Sequence, residues 1–124
     1  MNSGGQLRLL EDHSLRIVEG SPGESFMTTA EDATILLETC FSHGTRSALL
    51  YAENLPAEFF DLSSGQAGAI LQRLRNYGVR LAVVCPPGTE RFSSHFGEML
   101  AEEQQGRFFG IFPGLKAARD WLAQ

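Results

Sequence analysis

The opening segment of the chain alternates apolar and polar positions with a period of two. The apolar positions are Leu7, Leu9, Leu15 and Ile17. A polar stretch at 11–14 separates the two halves of the segment, so the pattern predicts an antiparallel hairpin with one buried face. The Gly-Ser-Pro-Gly sequence at 20–23 interrupts the alternation and predicts a loop.

After this loop the apolar positions recur at steps of three and four, which predicts a helix over residues 30–42. Thr29 is the expected N-cap of this helix, and Gly44 is the expected stop. The predicted buried face consists of Ala33, Leu36, Leu37, Cys40 and Phe41.

The middle of the chain then alternates strand and helix. Residues 47–51 predict a short buried strand, and the continuously apolar run at 79–84 predicts a strand in the interior of a sheet. Between them we expect a helix that starts at Ser63, where Gln66 completes a capping box, and that ends near residues 76–78 (Asn-Tyr-Gly). The apolar side of this helix consists of Ala67, Ile70, Leu71 and Leu74.

The last third of the chain predicts a helix from Phe92, a strand at 108–112 and a closing helix at 115–122. Successive strand-helix units favour parallel strands joined by right-handed crossovers. We therefore expect an α/β fold with a single mixed sheet of about five strands, an N-terminal antiparallel hairpin followed by parallel strands, and about four helices. This single domain is expected to span residues 1–124, with a flexible N-terminus at 1–5.

The composition fits a folded domain, because 43% of the residues are apolar and 20% are charged. A net charge of −5 disfavours binding to the phosphate backbone of nucleic acids. The apolar runs are far shorter than the roughly 20 residues that cross a bilayer, and the polar N-terminus lacks a signal-peptide core. A cytoplasmic protein without membrane or nucleic-acid partners is the expectation.

The cysteines and histidines suggest neither a metal nor a cofactor. Cys40 and Cys85 lie far apart and form no CxxC pair, so we expect two buried free thiols. His95, Glu98 and Glu102 are spaced to share one side of the third predicted helix, and these residue types are common metal ligands. A solvated flank is the preferred interpretation, because no further ligands stand out.

Residues 59–77 (FFDLSSGQAGAILQRLRNY), followed by RLAVV at 80–84, resemble the signature of a bacterial family catalogued as domain of unknown function 4180. A weaker resemblance extends from about residue 7 to residue 122. The chain has Cys-Pro-Pro at 85–87 where the family usually has Gly-Asp-Phe, and Glu-Glu-Gln at 102–104 where it has Glu-Ser-Asn. The resemblance implies a STAS-like fold, which is the fold of anti-sigma-factor antagonists and of a sulfate-transporter domain, with helices mainly on one face of a mixed sheet.

The resemblance also implies a candidate switch. Residues 61–65 (Asp-Leu-Ser-Ser-Gly) are similar to the Asp-Ser-Ser/Thr-Gly element of anti-sigma-factor antagonists, in which a partner kinase phosphorylates a serine at a helix start. A phosphate on Ser63 or Ser64 would lie at the positive end of the predicted helix. The alternative is that Ser63 only caps this helix.

The loops after Tyr51 and Val84 are expected to lie side by side at the carboxyl edge of the sheet, where ligands of α/β proteins gather. The candidate partner-binding, anion-binding or phosphorylation residues are Glu53, Asp61, Ser63, Ser64, Gly65 and Cys85. The preferred hypothesis is a non-enzymatic regulatory domain that binds a protein partner around residues 54–65. A homo-oligomer stays open.

Two alternatives to this hypothesis remain. A small hydrolase or transferase would use the same two loops, with Cys85 as nucleophile and His95 as its base. A sensor would instead hold a small anion at the helix start near Ser63. The aromatic residues Phe59 and Phe60 would either form an exposed binding patch or belong to the core.

Overall fold

The computed structural model describes residues 7–12, 15–21, 32–55, 59, 65–86 and 108–124. Within these ranges the strands are β1 (Leu7–Asp12), β2 (Leu15–Gly20), β3 (Ser47–Tyr51), β4 (Arg80–Val84) and β5 (Phe109–Phe112). The α-helices are α1 (Ala33–Ser42), α2 (Gln66–Asn76) and α3 (Leu115–Leu122), and a short 3-10 helix (Ala52–Asn54) follows β3. The helix predicted from Phe92 lies outside the described residues.

The five strands form a single mixed sheet in the order β1-β2-β3-β4-β5, so their spatial order follows the chain. β1 and β2 are antiparallel, whereas β2, β3, β4 and β5 run parallel to one another. This confirms the predicted α/β class, with a hairpin followed by parallel strands. The predicted bounds of β3 and α3 also agree with the structure.

Helices α1 and α2 cover one face of the sheet, and α3 covers the other. When parallel strands are added in one direction and all crossovers have the same handedness, the crossover helices lie on the same face of the sheet. This accounts for the position of α1 and α2. The strand side of this core comprises Leu7, Val18, Ala48, Leu50, Leu81, Val83 and Phe109. The helix side comprises Ala33, Leu36, Leu37 and Cys40 from α1 and Ala67, Ile70, Leu71 and Leu74 from α2. The predicted apolar stripe of α2 is therefore confirmed.

The second core lies under α3, which joins the sheet after the last strand and is not a crossover helix. Ala118 and Leu122 of α3 pack with Leu49, Ala82 and Ile17 of the sheet. Because both faces of β4 are covered, the four residues of β4 after the half-buried Arg80 are buried, as its continuously apolar sequence predicted. Cys85, which follows the strand, is also buried.

The hairpin differs from the prediction, because both of its faces carry core residues. In the observed register Leu9 lies opposite Val18, and Leu10 lies opposite Ile17. Val18 belongs to the core under α1 and α2, whereas Ile17 belongs to the core under α3. The expectation of one buried face was therefore wrong, since alternation alone does not reveal a second covering layer.

The start of α2 also differs from the prediction. Gly65 is its N-cap with a positive φ of 81°, and Gln66 is the first helical residue rather than the third. The predicted capping box of Ser63 with Gln66 is therefore wrong. The helix ends as expected at Asn76, and Gly78 takes the left-handed conformation (φ 72°) that glycine adopts most readily.

Arg80, at the start of β4, holds the C-terminal end of α3. Its guanidinium donates hydrogen bonds to the carbonyl oxygens of Trp121 (3.1 Å), Leu122 (3.2 Å) and Gln124 (3.1 Å). The same group lies over the Trp121 ring, 4.3 Å from its centroid. A cation at a helix C-terminus also interacts favourably with the helix dipole, so Arg80 fixes α3 to the sheet.

Candidate functional site

The predicted carboxyl-edge site is described only in part. Asp61, Ser63 and Ser64 lie outside the described residues, and so do Phe60 and His95. Glu53 and Gly65 are exposed, whereas Cys85 is buried. Phe59 is also fully buried and packs edge-on against Phe109, with ring centroids 5.9 Å apart. Phe59 therefore belongs to the core and not to an exposed patch.

The side chain of Asn54 lies at the carboxyl ends of β2 and β3 and connects them. Its Oδ1 accepts a hydrogen bond from the backbone N–H of Tyr51 (2.7 Å), and its Nδ2 donates one to the carbonyl oxygen of Ser21 (2.7 Å). The side chain is fully buried and lies directly against Gly20, where a Cβ atom would collide with Asn54 Oδ1 and with Leu50 at 2.9 Å. Glycine at position 20 thus allows Asn54 to join the two strand ends.

A buried carboxylate lies next to this contact. Glu19 is only 1% exposed, and it accepts a hydrogen bond from the hydroxyl of Tyr51 at 2.5 Å. The hydrogen bond between Glu19 and Tyr51 was not predicted from the sequence. Glu19 follows Ile17 on the same face of β2, so its inward position could be inferred once that face was known to be covered.

The two cysteines are free and buried, as predicted. Burial raises the pKa of the Cys40 thiol from 9.0 to about 12, so this group stays protonated at neutral pH. Cys85 follows β4 and is 4% exposed. Neither thiol is presented on the surface of the described structure, which is unfavourable for attack on a substrate.

Two aromatic side chains are exposed at the edge of the sheet opposite the carboxyl edge, where the parallel strands begin. Phe41 lies in the last turn of α1 and is 48% exposed, and Tyr77 follows α2 and is 54% exposed. Their rings meet edge to face, with centroids 5.8 Å apart and planes inclined by 65°. Among the described residues, Phe41 and Tyr77 are the large hydrophobic side chains that are exposed to solvent. We call Phe41 and Tyr77 the aromatic pair.

The exposure of Phe41 corrects the predicted buried face of α1. Its four other members, Ala33, Leu36, Leu37 and Cys40, are buried as expected. Phe41 continues their spacing, but it lies in the last turn, and α1 is followed by a tight reversal through His43 and Gly44. The sequence signal was Gly44, three residues after Phe41, because a glycine at this distance indicates that Phe41 lies at the helix end, beyond the core.

Arginine side chains flank the aromatic pair. Arg46 is exposed and lies against Gly78, with its Nη1 3.5 Å from the position that a Cβ atom of Gly78 would take. The guanidinium of Arg75, also exposed, lies 5.9 Å from the centroid of the Phe108 ring. Arg16 pairs with Glu11 at 3.1 Å and donates to the carbonyl oxygen of His43. This edge of a net acidic protein is therefore rich in cations.

The described residues offer neither a metal-binding cluster nor a membrane-spanning helix. The described histidines, cysteines and carboxylates form no cluster of three or more that could hold a metal ion. None of the described helices combines the length and the apolar character that a membrane crossing requires. The predicted cluster of His95, Glu98 and Glu102 lies outside the described residues.

Comparison with known proteins identifies a family without naming an activity. No curated protein and no solved structure matches the chain significantly. Residues 12–122 match the family described as domain of unknown function (DUF4180), which is the family that the run at 59–84 resembled. The match covers all but the ends of the described structure, from the last residue of β1 to the end of α3. The chain therefore belongs to the DUF4180 family.

Proposed function

We propose that this chain is a non-enzymatic regulatory domain that acts by binding a protein partner, and that its fold is STAS-like, as in anti-sigma-factor antagonists. The observation that carries the proposal is the aromatic pair, because Phe41 and Tyr77 leave about half of their surface in water although each is large and apolar. Aromatic residues are enriched in the core of protein–protein interfaces, where a few anchoring side chains contribute most of the binding energy.

The topology of the sheet supports binding over catalysis. In open α/β sheets, small ligands occupy the crevice that forms where the strand order reverses. Here the strand order β1 to β5 advances in one direction, and Asn54 fills the carboxyl ends of β2 and β3. Together with the buried position of Cys85, this favours a docking surface over a walled reaction site.

The proposal differs from the sequence-based hypothesis in the location of the docking surface. Residues 54–65 remain the predicted site of a phosphorylation switch at Ser63 or Ser64. The aromatic pair lies at the other edge of the sheet, at the C-terminal ends of α1 and α2. Because α2 runs between the two edges, a partner at the aromatic pair and a modification before Gly65 would contact opposite ends of the same helix.

Site-specific photo-cross-linking in the cell of origin tests this function. Tyr77 is replaced by the photoreactive amino acid p-benzoylphenylalanine, and cross-linked products are identified by mass spectrometry. The matched control carries the same amino acid at Ala117, which is exposed on α3. We expect a discrete adduct with another protein from position 77 that does not form from position 117.

Two results would contradict the proposal. If position 77 gives no adduct, or the same adducts as position 117, the aromatic pair is not a docking surface. Turnover of a substrate by the purified chain, abolished by Cys85→Ser, would favour the hydrolase or transferase alternative. In that case the binding function would have to be abandoned.

A further inference from the structure

We infer that the surface formed by Phe41, Tyr77 and Arg46 binds a short acidic segment of the partner, with one apolar side chain of that segment inserted against the aromatic pair. This inference rests on the proposed binding function and adds the chemical class of the occupant. It follows from the size of the exposed apolar surface, from the charges beside it and from the proximity of Arg46 to Gly78, the residue after Tyr77.

The exposed apolar area is small. Phe41 and Tyr77 are each about half exposed, and since an aromatic side chain offers about 150–250 Å² in total, the pair presents roughly 200 Å². A stable protein–protein interface needs about 800 Å² from each partner. A second copy of the chain would therefore find too little apolar surface here, whereas one anchoring side chain of a peptide would be accommodated.

The charges next to the aromatic pair favour an acidic occupant. The side chain of Arg46 is exposed and forms neither an ion pair nor a hydrogen bond with any group in the described part of the chain. Arg75, near the end of α2, is exposed as well, but its guanidinium lies over the Phe108 ring. In a protein with a net charge of −5, Arg46 therefore offers a cation to a carboxylate at this edge.

Arg46 lies against the residue that follows Tyr77. Its Cδ and Nη1 atoms lie 3.9 Å and 3.5 Å from the position of a Cβ atom at Gly78. Glycine at position 78 therefore leaves room for the arginine side chain at this turn. A carboxylate bound by this guanidinium would be adjacent to an apolar side chain seated on the Tyr77 ring.

Glu38 sets the orientation of the bound segment. It is exposed on α1, three residues before Phe41, and residues at this spacing are neighbours on a helix surface. An acidic residue of the partner is repelled near Glu38 and attracted near Arg46. The acidic residues of the segment are therefore placed toward Arg46, and its apolar residue toward the aromatic pair.

A nucleic acid fits this surface less well. Specific binding to a phosphate backbone commonly neutralises about six to ten phosphates, and Arg16, the third arginine at this edge, is already paired with Glu11. Arg46 alone would neutralise too few charges. One cation next to two aromatic rings matches a carboxylate beside a hydrophobic residue.

Fluorescence anisotropy with the full chain tests the inference. The probe is a short fluorescein-labelled peptide of Asp and Glu residues with one central Phe. Three comparison probes are its twin with Asn and Gln in place of the acids, its twin with Gly in place of Phe, and an oligouridylate of similar length. We expect the acidic Phe peptide to bind about tenfold or more tightly than either twin, and rising salt to weaken it.

Variants assign the binding to this surface. Arg46→Glu and the pair Phe41→Ser with Tyr77→Ser are expected to weaken peptide binding about tenfold or more. The control Lys116→Glu reverses an equally exposed charge on α3 and should change the affinity by less than about twofold. Circular dichroism of every variant checks that the fold is kept, since all four positions are exposed.

Three outcomes would overturn the inference: equal binding of the amide twin, tighter binding of the oligouridylate, or self-association in sedimentation that Phe41→Ser abolishes. A protein adduct at position 77 combined with any of these outcomes would leave the binding function standing and remove only the acidic class of occupant. The absence of both adduct and peptide binding would remove both proposals.

Discussion

Replacing Asn54 with alanine should lower the free energy of unfolding by about 3 kcal/mol. The substitution leaves two half-buried backbone groups, the N–H of Tyr51 and the carbonyl of Ser21, without the amide side chain that each contacts at 2.7 Å. A buried polar group without a partner costs about 1–3 kcal/mol. We take a value near the lower end of the sum, because some relaxation at the strand ends is expected.

This loss is large compared with the roughly 5–15 kcal/mol that stabilises a domain of this size. It corresponds to a decrease of roughly 10 °C in Tm. Urea unfolding at constant temperature, followed by far-UV circular dichroism and by the fluorescence of Trp121, measures the change directly. Agreement between the two signals also checks that unfolding is a single transition.

Asn76→Ala is the matched control for this prediction. Asn76 also accepts a side-chain hydrogen bond, from Nε2 of Gln72 at 2.8 Å, but both groups are exposed at the end of α2. Water can replace that bond, so the expected change is below about 0.5 kcal/mol. If Asn54→Ala were no more destabilising than Asn76→Ala, the assignment of Asn54 as the connection between β2 and β3 would be refuted.

Three further predictions follow from other contacts. Arg80→Gln should destabilise the fold by about 2 kcal/mol in urea unfolding, because two carbonyls of α3 and that of Gln124 lose a charged donor. Arg46→Gln should stay within about 0.5 kcal/mol, and equal effects would contradict the role of Arg80. Above pH 9.0 the unfolded chain releases the Cys40 proton that the folded chain retains up to a pKa of about 12, so stability should fall by about 1.4 kcal/mol per pH unit over that window. Cys40→Ala should flatten this slope in unfolding measured from pH 8 to 10.5, and an unchanged slope would show that another group causes it. In the native protein a small thiol reagent should label Cys85 as slowly as Cys40, and rapid labelling of Cys85 alone would revive the enzyme alternative.

Local sequence patterns predicted the elements well, because their signals are short in range. The bounds of β3 and α3 agree with the structure because breakers flank an apolar run in the first case and an amphipathic repeat in the second. The start of α2 was misplaced from Gln66 to Ser63. Serine followed three residues later by glutamine satisfies the capping rule, but Gly65 takes the N-cap position instead.

The position of side chains relative to the two cores was harder to predict, because it depends on contacts distant in the sequence. The hydrogen bond between Tyr51 and Glu19 joins residues 32 positions apart. Phe41 has the spacing of a core residue, but it is exposed because the layer beneath α1 ends before the position of Phe41. The sequence therefore predicted the sheet and the helices, but it did not predict the aromatic pair.

The agreement between strand order in space and strand order in the chain has a consequence for folding. After the hairpin, each new strand of the series can dock beside the strand made just before it, and no gap has to be kept open for a later segment. Contacts of short sequence separation cost little loop-closure entropy and favour rapid folding. Growth of the sheet is thus vectorial, proceeding from the amino-terminal hairpin outward, so a ribosome-bound fragment ending after β4 should already hold the first four strands in their native register.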